Sequence, residues 1–223
     1  MNFWKDKRVL ITGNTGFKGS WLSVWLNMLG ADIRGYALQP TEKKSLFLRL
    51  GVGGFCPTTF SDIRNEKMVT KLIVEFKPEI IFHLAAQPLV QESYLHPRST
   101  FETNIMGTIN IIEGAMNVNS VQSIVNVTSD KVYENHSLQR GYKEIDTLNG
   151  KDPYSNSKSC ADLISNCYRN SFLEGKINLA NVRSGNVIGG GDWAEKRLIP
   201  DMMRSLADNN VLNIRNPDST RPW

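Results

Sequence analysis

The sequence predicts an α/β fold built on a doubly wound parallel sheet, with helices on both faces. Short apolar segments alternate with longer amphipathic segments through most of the 223 residues. A glycine-rich stretch, TGNTGFKG, directly follows the first apolar segment and opens the first amphipathic one. Strands that alternate with helices pack as parallel strands joined by right-handed crossovers. Ligands of such a sheet bind beyond the carboxyl ends of its strands, so the residues that follow each strand are candidate site residues.

The first half of the chain contains three predicted strands and two predicted helices. RVLIT at 8–12 is a short apolar run and is expected to be a buried strand. A helix is expected at 16–29, where tryptophans and leucines recur at helical spacing. DIRGYAL at 32–38 and the weaker TTFSDI at 58–63 are the next strands, and the intervening PTEKKSLFLRLGVGG is expected to form a loop. A second helix is expected at 65–76.

The second half continues the alternation. EIIFHLA at 79–85 is the fourth strand, and a long helix that opens at a His-Pro boundary is expected at 96–116. VQSIVNVTS at 121–129 is the fifth strand, followed after a loop by a helix at 153–171. INLANVRSG at 177–185 is the sixth strand.

The character of the sequence changes after the sixth strand, where glycines, a tryptophan and a further helical segment follow. We expect a ligand-binding α/β domain over residues 1–184. Residues 185–223 are expected to begin a smaller, second region that packs over the ligand-bearing edge of the sheet. The final STRPW resembles the middle of an element, so this region is expected to be incomplete.

Composition argues against several classes of function. The net charge is +4, from 26 Lys and Arg against 22 Asp and Glu, and the scattered basic residues argue against nucleic-acid binding. We see no signal peptide and no run of membrane-spanning length, so a cytoplasmic protein without a membrane partner is expected. The three cysteines lack CxxC spacing and the three histidines lie far apart, so no metal site is expected.

The glycine-rich turn after the first strand predicts a dinucleotide-binding loop. Gly13, Gly16 and Gly19 form a G-x-x-G-x-x-G pattern. The first glycine permits a tight turn, the second lets the backbone approach a pyrophosphate, and the third allows close packing of helix and strand. Free N–H groups at the helix N-terminus favour an anion. A lone glycine pattern is weak, but this one lies in the required strand-turn-helix context.

The end of the second strand lacks the acid that usually holds the adenosine ribose of NAD. The strand ends in Tyr-Ala-Leu, and Arg34 lies too early to serve a 2′-phosphate. This position therefore leaves the choice of cofactor open. Asp62 and Ile63 are candidates for the adenine contact, although an aspartate in a loop is more often a turn residue.

A tyrosine and a lysine on the helix after the fifth strand predict proton transfer. Tyr154 and Lys158 are four residues apart, which places both on one helical face. A cationic lysine favours phenolate and is expected to lower the tyrosine pKa from about 10. The phenolate could then accept a hydroxyl proton while hydride leaves the same carbon. By itself, the YxxxK pattern is more often a solvated helix face.

TSDKVY, which follows the fifth strand, places an acid and a base side by side. In isolation Ser129, Asp130 and Lys131 would be interpreted as a solvated turn. At the carboxyl end of this strand they are candidate proton-transfer groups. Free lysine has a pKa of about 10.4, so a base role for Lys131 needs desolvation or neighbouring cations. Alternatively, Lys131 stabilises developing negative charge and another group takes the proton.

These motifs together resemble the extended short-chain dehydrogenase/reductase family of NAD-dependent epimerases and dehydratases, which has the Rossmann fold. TGNTGFKG, HLAAQ, an Asn on the helix after strand four, a Ser/Thr after strand five and YxxxK carry the resemblance over nearly the whole chain. The resemblance implies that NAD is the cofactor. The implied cofactor-binding residues are Gly13, Thr15, Gly16, Phe17, Lys18, Gly19, Asp62, Ile63, Leu84, Ala85, Ala86, Asn104, Thr128, Tyr154 and Lys158.

Longer strings are similar to the branch of this family that dehydrates CDP-glucose at C4 and C6. They are GNTGFKGSWL, HLAAQPLV, TSDKVYEN, DPYSNSK, GNVIGGGDWAEKRLIPD and the final RPW. This branch, which serves dideoxysugar and O-antigen synthesis, uses NAD although it lacks the strand-two acid. The resemblance implies that Tyr154 takes the C4 hydroxyl proton, Asp130 assists loss of the C6 hydroxyl, and Lys131 acts at C5. It also implies a homodimer or homotetramer built on helices at 98–117 and 152–172.

The nucleotide sugar needs further contacts, which are weaker predictions because a single surface arginine is usually solvated. Arginine matches the geometry of a diphosphate. The candidate substrate-binding residues are Gln87, Asn186, Arg197, Arg215 and Arg221. Three alternatives stay open: a 4-epimerase, which has no use for an acid–base pair aimed at C6; a non-catalytic NAD-binding module; and an inactive fragment.

Overall fold

A computed structural model describes residues 3–41, 44–136, 138–195, 197–214 and 217–219. They contain a six-stranded sheet in which neighbouring strands pair in parallel in the order β3-β2-β1-β4-β5-β6. The strands are β1 (Arg8–Thr12), β2 (Asp32–Ala37), β3 (Thr58–Phe60), β4 (Ile80–His83), β5 (Ser123–Val127) and β6 (Asn178–Val182). This order confirms the predicted doubly wound fold. The strand order reverses between β1 and β4, where a ligand crevice forms at the carboxyl ends.

The connections between strands are helical. The α-helices are α1 (Phe17–Met28), α2 (Leu46–Arg49), α3 (Glu66–Phe76), α4 (Val90–Leu95), α5 (Pro97–Phe101), α6 (Gly107–Met116), α7 (Pro153–Tyr168) and α8 (Leu198–Ala207). The long helix expected at 96–116 does open at Pro97, but a π-helical turn, Glu102–Met106, separates α5 from α6. A π-turn carries an extra residue, which re-aims the side chains that follow it.

Two helices lie where none was expected. The prediction that PTEKKSLFLRLGVGG forms only a loop is wrong, because α2 and a 3₁₀ turn, Val52–Gly54, lie within it. The Ser45 side chain caps α2 by accepting a hydrogen bond from Leu48 N, and burial of Phe47 holds the helix on the core. The short helix α4 was also missed, because its six residues are too few to show a periodic pattern.

The core lies on both faces of the sheet. On one face, Ile73 of α3 and Ile111 of α6 pack with Ile124 of β5. On the other, Val9 and Ile11 of β1 pack with Leu26 of α1 and neighbouring apolar residues. Burial on both faces explains why β1 is apolar at consecutive positions rather than at alternate ones. The carboxyl ends of the strands, which together form the carboxyl edge of the sheet, are therefore held in place by a core packed on both faces.

The region expected to begin a second domain is irregular and then helical. No regular element is assigned to the described residues between the end of β6 and the start of α8. The helix α8 is amphipathic, and its Leu206 is 72% exposed. A domain boundary at residue 184 stays a prediction. Within the described residues, no helix combines the length and apolar composition that crossing a membrane requires.

Candidate active site

The glycine loop after β1 has the shape that a dinucleotide phosphate requires. Gly13 has a φ of +72°, and a Cβ there would lie 2.8 Å from Ala85 N. A Cβ on Gly19 would lie 2.2 Å from the Gly13 carbonyl oxygen. The helix α1 therefore packs against the loop more closely than any residue with a side chain would allow. Gly16 is the N-cap of α1 and supplies no capping side chain. The first amides of α1 are therefore left to an anion, and the loop fits a bound pyrophosphate.

The loop is tied to the neighbouring strand ends. The Thr12 hydroxyl oxygen accepts hydrogen bonds of 3.1 Å from both Leu84 N and Ala85 N. The Thr15 hydroxyl donates to the Leu38 carbonyl oxygen at 3.0 Å, beyond the end of β2. These bonds bring the predicted residues after β1 and β4 together at one edge.

The predicted adenine contact is already engaged in an ion pair. Both carboxylate oxygens of Asp62 accept hydrogen bonds from Arg64, the shorter at 2.7 Å. This hydrogen bonding is the main cause that lowers the pKa of Asp62. The Tyr36 hydroxyl donates to the Asp62 carbonyl oxygen at 2.8 Å and fixes the backbone. The contacts of Asp62 and Ile63 with an adenine stay predictions.

Asn104 joins the turn after β4 to α7. Its Oδ1 accepts from Gln87 N at 2.8 Å, and its Nδ2 donates to Gln87 O at 3.2 Å and to Ser157 Oγ at 2.8 Å. Asn104 is 1% exposed and lies in the π-helical turn, which aims it into this junction. Both atoms of the Asn104 amide group are thus hydrogen-bonded to other residues of the protein. A direct contact of Asn104 with the cofactor stays a prediction.

A buried histidine, which sequence reasoning did not single out, supports the same edge. The Thr108 hydroxyl donates its proton to the Asn104 carbonyl oxygen, so it accepts from His83 Nε2 at 3.3 Å. His83 Nδ1 then accepts from the Thr12 hydroxyl at 2.8 Å. Burial first, and the charge of Lys158 second, lower the His83 pKa to about 3. The ring is therefore neutral and structural.

The helix α7 carries the predicted tyrosine and lysine. It begins at Pro153 after Asp152, whose carboxylate accepts from Ser155 N at 3.0 Å. Lys158 is 6% exposed and its Nζ donates to the Val127 carbonyl oxygen at 3.1 Å, at the end of β5. Tyr154 lies one turn earlier, so both side chains belong to the face that meets the carboxyl edge.

The predicted charge states of this pair need correction. Burial raises the pKa of Tyr154, although a hydrogen bond with Ser129 opposes the increase. Burial, followed by the nearby charge of Lys18, lowers the pKa of Lys158 to about 7. The expectation that a cationic Lys158 lowers the Tyr154 pKa is wrong for the protein alone, because burial raises that pKa. Desolvation, which penalises the charged form, is the largest cause of the shift in both groups.

The β5 turn, defined as residues 129–132, lies against Tyr154. Ser129 Oγ donates to Asp130 Oδ1 at 3.1 Å and accepts from Lys131 N at 3.2 Å. Asp130 N donates to the Ser184 carbonyl oxygen at 3.0 Å, beyond the end of β6. The charge of Asp130 acts to raise the Tyr154 pKa, so the carboxylate lies near that hydroxyl. Lys131 is exposed, so the protein alone does not supply the desolvation that a base role needs.

Most of the remaining predicted residues lie at or near the carboxyl edge, and two lie outside the described residues. The pKa of Lys18 is lowered by desolvation and by Arg197 but raised by Asp130, so these three charges share one region. Arg197 Nη1 pairs with Asp192 at 3.2 Å. Phe17, Leu84, Ala86, Gln87 and Asn186 are partly exposed at the same edge or in the loops next to it. Arg215 and Arg221 lie outside the described residues.

A second buried network lies behind the β5 turn and was also missed. Asp162 is two turns beyond Tyr154 on α7 and forms an ion pair of 2.8 Å with Arg183, directly after β6. The i, i+4, i+8 spacing of Tyr154, Lys158 and Asp162 could have indicated that all three share a face. Within the described residues, no cluster of three or more His, Cys, Asp or Glu could hold a metal ion.

Comparison with known families agrees with this arrangement. The family model described as GDP-mannose 4,6 dehydratase matches residues 10–223. The chain belongs to this family. The predicted membership of the epimerase/dehydratase group is thereby confirmed.

One relative and two solved structures extend the comparison. CDP-glucose 4,6-dehydratase from Salmonella typhimurium is 50% identical over 228 residues, which cover 100% of this chain and 64% of that protein. UDP-glucose 4-epimerase from Thermus thermophilus, in complex with NAD, is 27% identical with a TM-score of 0.74, over 85% of this chain and 58% of that one. dTDP-glucose 4,6-dehydratase from Bacillus anthracis, also with NAD, shares the fold with a TM-score of 0.75 and 21% identity, over 91% and 62% of the two chains. This chain therefore spans 64% of the length of the Salmonella relative.

Proposed function

We propose that this chain carries the NAD-binding and catalytic part of a CDP-glucose 4,6-dehydratase that forms CDP-4-keto-6-deoxyglucose. The observation that carries the proposal is the placement of the β5 turn against Tyr154, because it joins an acid–base pair to the YxxxK helix at one sheet edge. The 50% identity to the Salmonella enzyme supports the choice of substrate. A 4-epimerase would need only the tyrosine and lysine.

NAD fits the glycine loop, and when bound it supplies the acceptor and later the donor of hydride. The residues proposed to hold it are those that the sequence predicted around Gly13, Gly16 and Gly19 and after β4. The narrow approach at Gly13 and Gly19 and the uncapped start of α1 support this assignment. NAD-bound structures of the Thermus epimerase and the Bacillus dehydratase also support it.

Oxidation at C4 is assigned to Tyr154 and Lys158. Tyr154 accepts the proton of the C4 hydroxyl through its phenolic oxygen, which must first be deprotonated. Because burial raises the pKa of Tyr154, the phenolate needs positive charge beside it. Lys158 in its ammonium form, with Lys18 nearby, supplies that charge on the protein side. Ser129 further favours the phenolate when its hydroxyl turns from Asp130 to donate to the Tyr154 oxygen.

Elimination of water is assigned to the β5 turn. The 4-keto group acidifies the C5–H bond, and its proton passes to a base as the C6–O bond breaks. Asp130 assists this step in its carboxylic acid form: it gives its proton to the departing C6 hydroxyl, which leaves as water, and becomes a carboxylate. Lys131 is either the C5 base or the cation that stabilises the enolate. Exposed Lys131 becomes desolvated only when substrate covers it.

The rest of the proposal concerns recognition and assembly. Residues 185–223 begin the nucleotide-sugar-binding region, with Gln87, Asn186, Arg197, Arg215 and Arg221 as substrate contacts. The protein is proposed to be cytoplasmic, to assemble as a homodimer or homotetramer through the helices at 98–117 and 152–172, and to serve dideoxysugar and O-antigen synthesis.

Activity on CDP-glucose tests the proposal. The purified protein is incubated with NAD and CDP-glucose, and the base-induced absorbance of the 4-keto product is followed. UDP-, GDP- and dTDP-glucose are the comparison substrates. Turnover of CDP-glucose in preference to the others is expected. Preference for another nucleotide contradicts the substrate assignment, and absence of turnover with all four contradicts the enzymatic proposal.

A further inference from the structure

The residues on either side of the β5 turn, Thr128 and Tyr133, are both linked to one carboxylate, whereas the turn itself accepts a hydrogen bond of 2.8 Å at the Val132 carbonyl oxygen from Ser159 Oγ. On the amino-terminal side, the Thr128 hydroxyl donates to Asp162 Oδ2 at 3.2 Å. On the carboxyl-terminal side, the Tyr133 hydroxyl accepts a hydrogen bond of 2.9 Å from Arg183 Nη1. Arg183 in turn donates to Asp162, from Nε to Oδ2 at 2.9 Å and from Nη2 to Oδ1 at 2.8 Å. Asp162 thus contacts Thr128 before the turn directly and Tyr133 after the turn through Arg183.

The ion pair is buried and fully hydrogen-bonded. The Asp162 side chain is 0% exposed and that of Arg183 is 14% exposed. Asn181 Nδ2 also donates to Asp162 Oδ1 at 3.0 Å. A two-point arginine–carboxylate contact has a fixed planar geometry, so it sets orientation as well as distance. Burying two charges costs free energy unless their hydrogen-bond geometry is good. Movement of either Asp162 or Arg183 away from this geometry is therefore unfavourable.

The same helix carries Asp162 and the redox pair. Tyr154, Lys158 and Asp162 follow one another at intervals of four residues on the buried face of α7. A contact from Asp162 to the flanks of the β5 turn therefore sets the turn relative to Tyr154. In the proposed reaction these two groups act on adjacent carbons of one sugar, so their separation must be constant to within a fraction of an ångström.

We propose that Asp162 and Arg183 are positioning residues that hold the β5 turn in register with Tyr154, and that they serve the elimination step more than the oxidation step. The inference rests on the proposed dehydratase function. Lys158 is held by the Val127 carbonyl oxygen, and Tyr154 is joined to the turn by one hydrogen bond, with Ser129, so displacement of the turn should affect Asp130 and Lys131 more than the oxidation pair. Tyr133, the residue after the turn, is bonded to Arg183, and this attachment adds to the hydrogen bond from Ser159 to Val132.

Tyr133→Phe is the sharpest variant because it removes one hydroxyl and leaves the ring in place. The Tyr133 ring stacks on Tyr142 at 4.8 Å and lies 5.0 Å from the Arg183 guanidinium, and phenylalanine preserves both contacts. Tyr142→Phe is the matched control, because the Tyr142 hydroxyl accepts from His136 N at 3.1 Å and not from Arg183. Asp162→Asn is a second variant that keeps the shape but removes the charge.

Rapid kinetics with CDP-glucose separate the two steps. In Tyr133→Phe we expect C4 oxidation, measured as formation of reduced cofactor, to keep its rate. Dehydration should slow by about tenfold, the equivalent of one hydrogen bond to a charged group. Reduced cofactor should therefore accumulate transiently, with KM for CDP-glucose unchanged. Asp162→Asn should show the same imbalance more strongly, and Tyr142→Phe should show none. Equal slowing of both steps, or slowing of neither, overturns the inference.

Amide hydrogen exchange supplies a readout that does not depend on turnover. Exchange at Asp130, whose amide donates to Ser184, should be at least several-fold faster in Tyr133→Phe than in the wild type or in Tyr142→Phe. Unchanged exchange overturns the positioning role. If the wild type turns over no nucleotide sugar, the proposed function fails, and the exchange comparison alone decides whether the ion pair holds the turn.

Discussion

The amino group of Lys158 lies 3.1 Å from the carbonyl oxygen of Val127 and is nearly enclosed, with 6% of the residue exposed. One end of β5 thus fixes the lysine of the YxxxK helix. Enclosure gives this lysine a pKa of about 7. An amine with that pKa changes charge near neutral pH, which makes stability and activity depend on pH in a defined direction.

The stability of the chain without cofactor should rise with pH because of Lys158. Its folded pKa of about 7 lies below the unfolded 10.5, so between these values the unfolded state binds more protons. The free energy of unfolding therefore increases as the pH rises, by about 2–3 kcal/mol between pH 6 and pH 9. Urea unfolding of the wild type and Lys158→Met across that range measures the effect. The wild type should gain stability relative to Lys158→Met as pH rises, and a constant difference contradicts the buried, titrating amine.

Tyr154→Phe should reduce turnover strongly while the protein stays folded. The variant loses the phenolic oxygen that is proposed to accept the C4 hydroxyl proton, which should reduce kcat by roughly 10²–10⁴-fold. Tyr168→Phe on the same helix is the control, because its hydroxyl donates to Glu113 at 2.7 Å, away from the carboxyl edge. Product formation and thermal unfolding are measured for both. A Tyr154→Phe enzyme with wild-type turnover would remove Tyr154 from the chemistry.

Lys131→Met should separate hydride transfer from proton exchange at C5. If Lys131 is the C5 base, reduced cofactor still forms with CDP-glucose, whereas exchange of C5–H with solvent deuterium stops. Lys151→Met, at another exposed lysine before α7, is the comparison variant and should behave as the wild type. Continued C5 exchange in Lys131→Met would leave the lysine only the electrostatic role.

Gly19→Ala should damage the phosphate loop. The added Cβ would lie 2.2 Å from the Gly13 carbonyl oxygen, so loop and helix must separate. We expect NAD affinity, measured by titration calorimetry, to fall by at least about tenfold as the amides move away from the pyrophosphate. At Gly54 a Cβ meets nothing within 4 Å, so Gly54→Ala controls for the added methyl group. Equal affinities for the two variants would refute the phosphate-loop assignment.

Asn104→Ala should destabilise the carboxyl edge. The substitution leaves the Gln87 amide without its acceptor and removes the hydrogen bond that Ser157 Oγ accepts, while Ser157 still donates to the Tyr154 carbonyl oxygen, at a cost of roughly 2–3 kcal/mol. Asn117→Ala, at the exposed end of α6, removes a bond to Glu113 O and should cost less than about 0.5 kcal/mol. Urea unfolding compares the two. Similar costs would show that Asn104 does not join the β4 turn to α7.

Much of the fold could be predicted from local patterns. The six strands and the major helices were all expected near their observed positions, because runs such as RVLIT and the helical spacing of apolar residues are local properties. The two missed helices, α2 and α4, are too short to show a period. The π-turn before α6 was missed because no local pattern encodes an extra residue in a helical turn.

By itself, the sequence determined the fold class, the glycine loop and the four-residue spacing of Tyr154 and Lys158, because each depends on spacing along the chain. Only the tertiary structure decided the charge states, since the pKa values of Tyr154 and Lys158 depend on burial by elements distant in sequence. It also decided the hydrogen-bond partners, such as Asp162 with Arg183, 21 residues apart. Desolvation and pairing are properties of the assembled edge, and no short stretch of residues contains them.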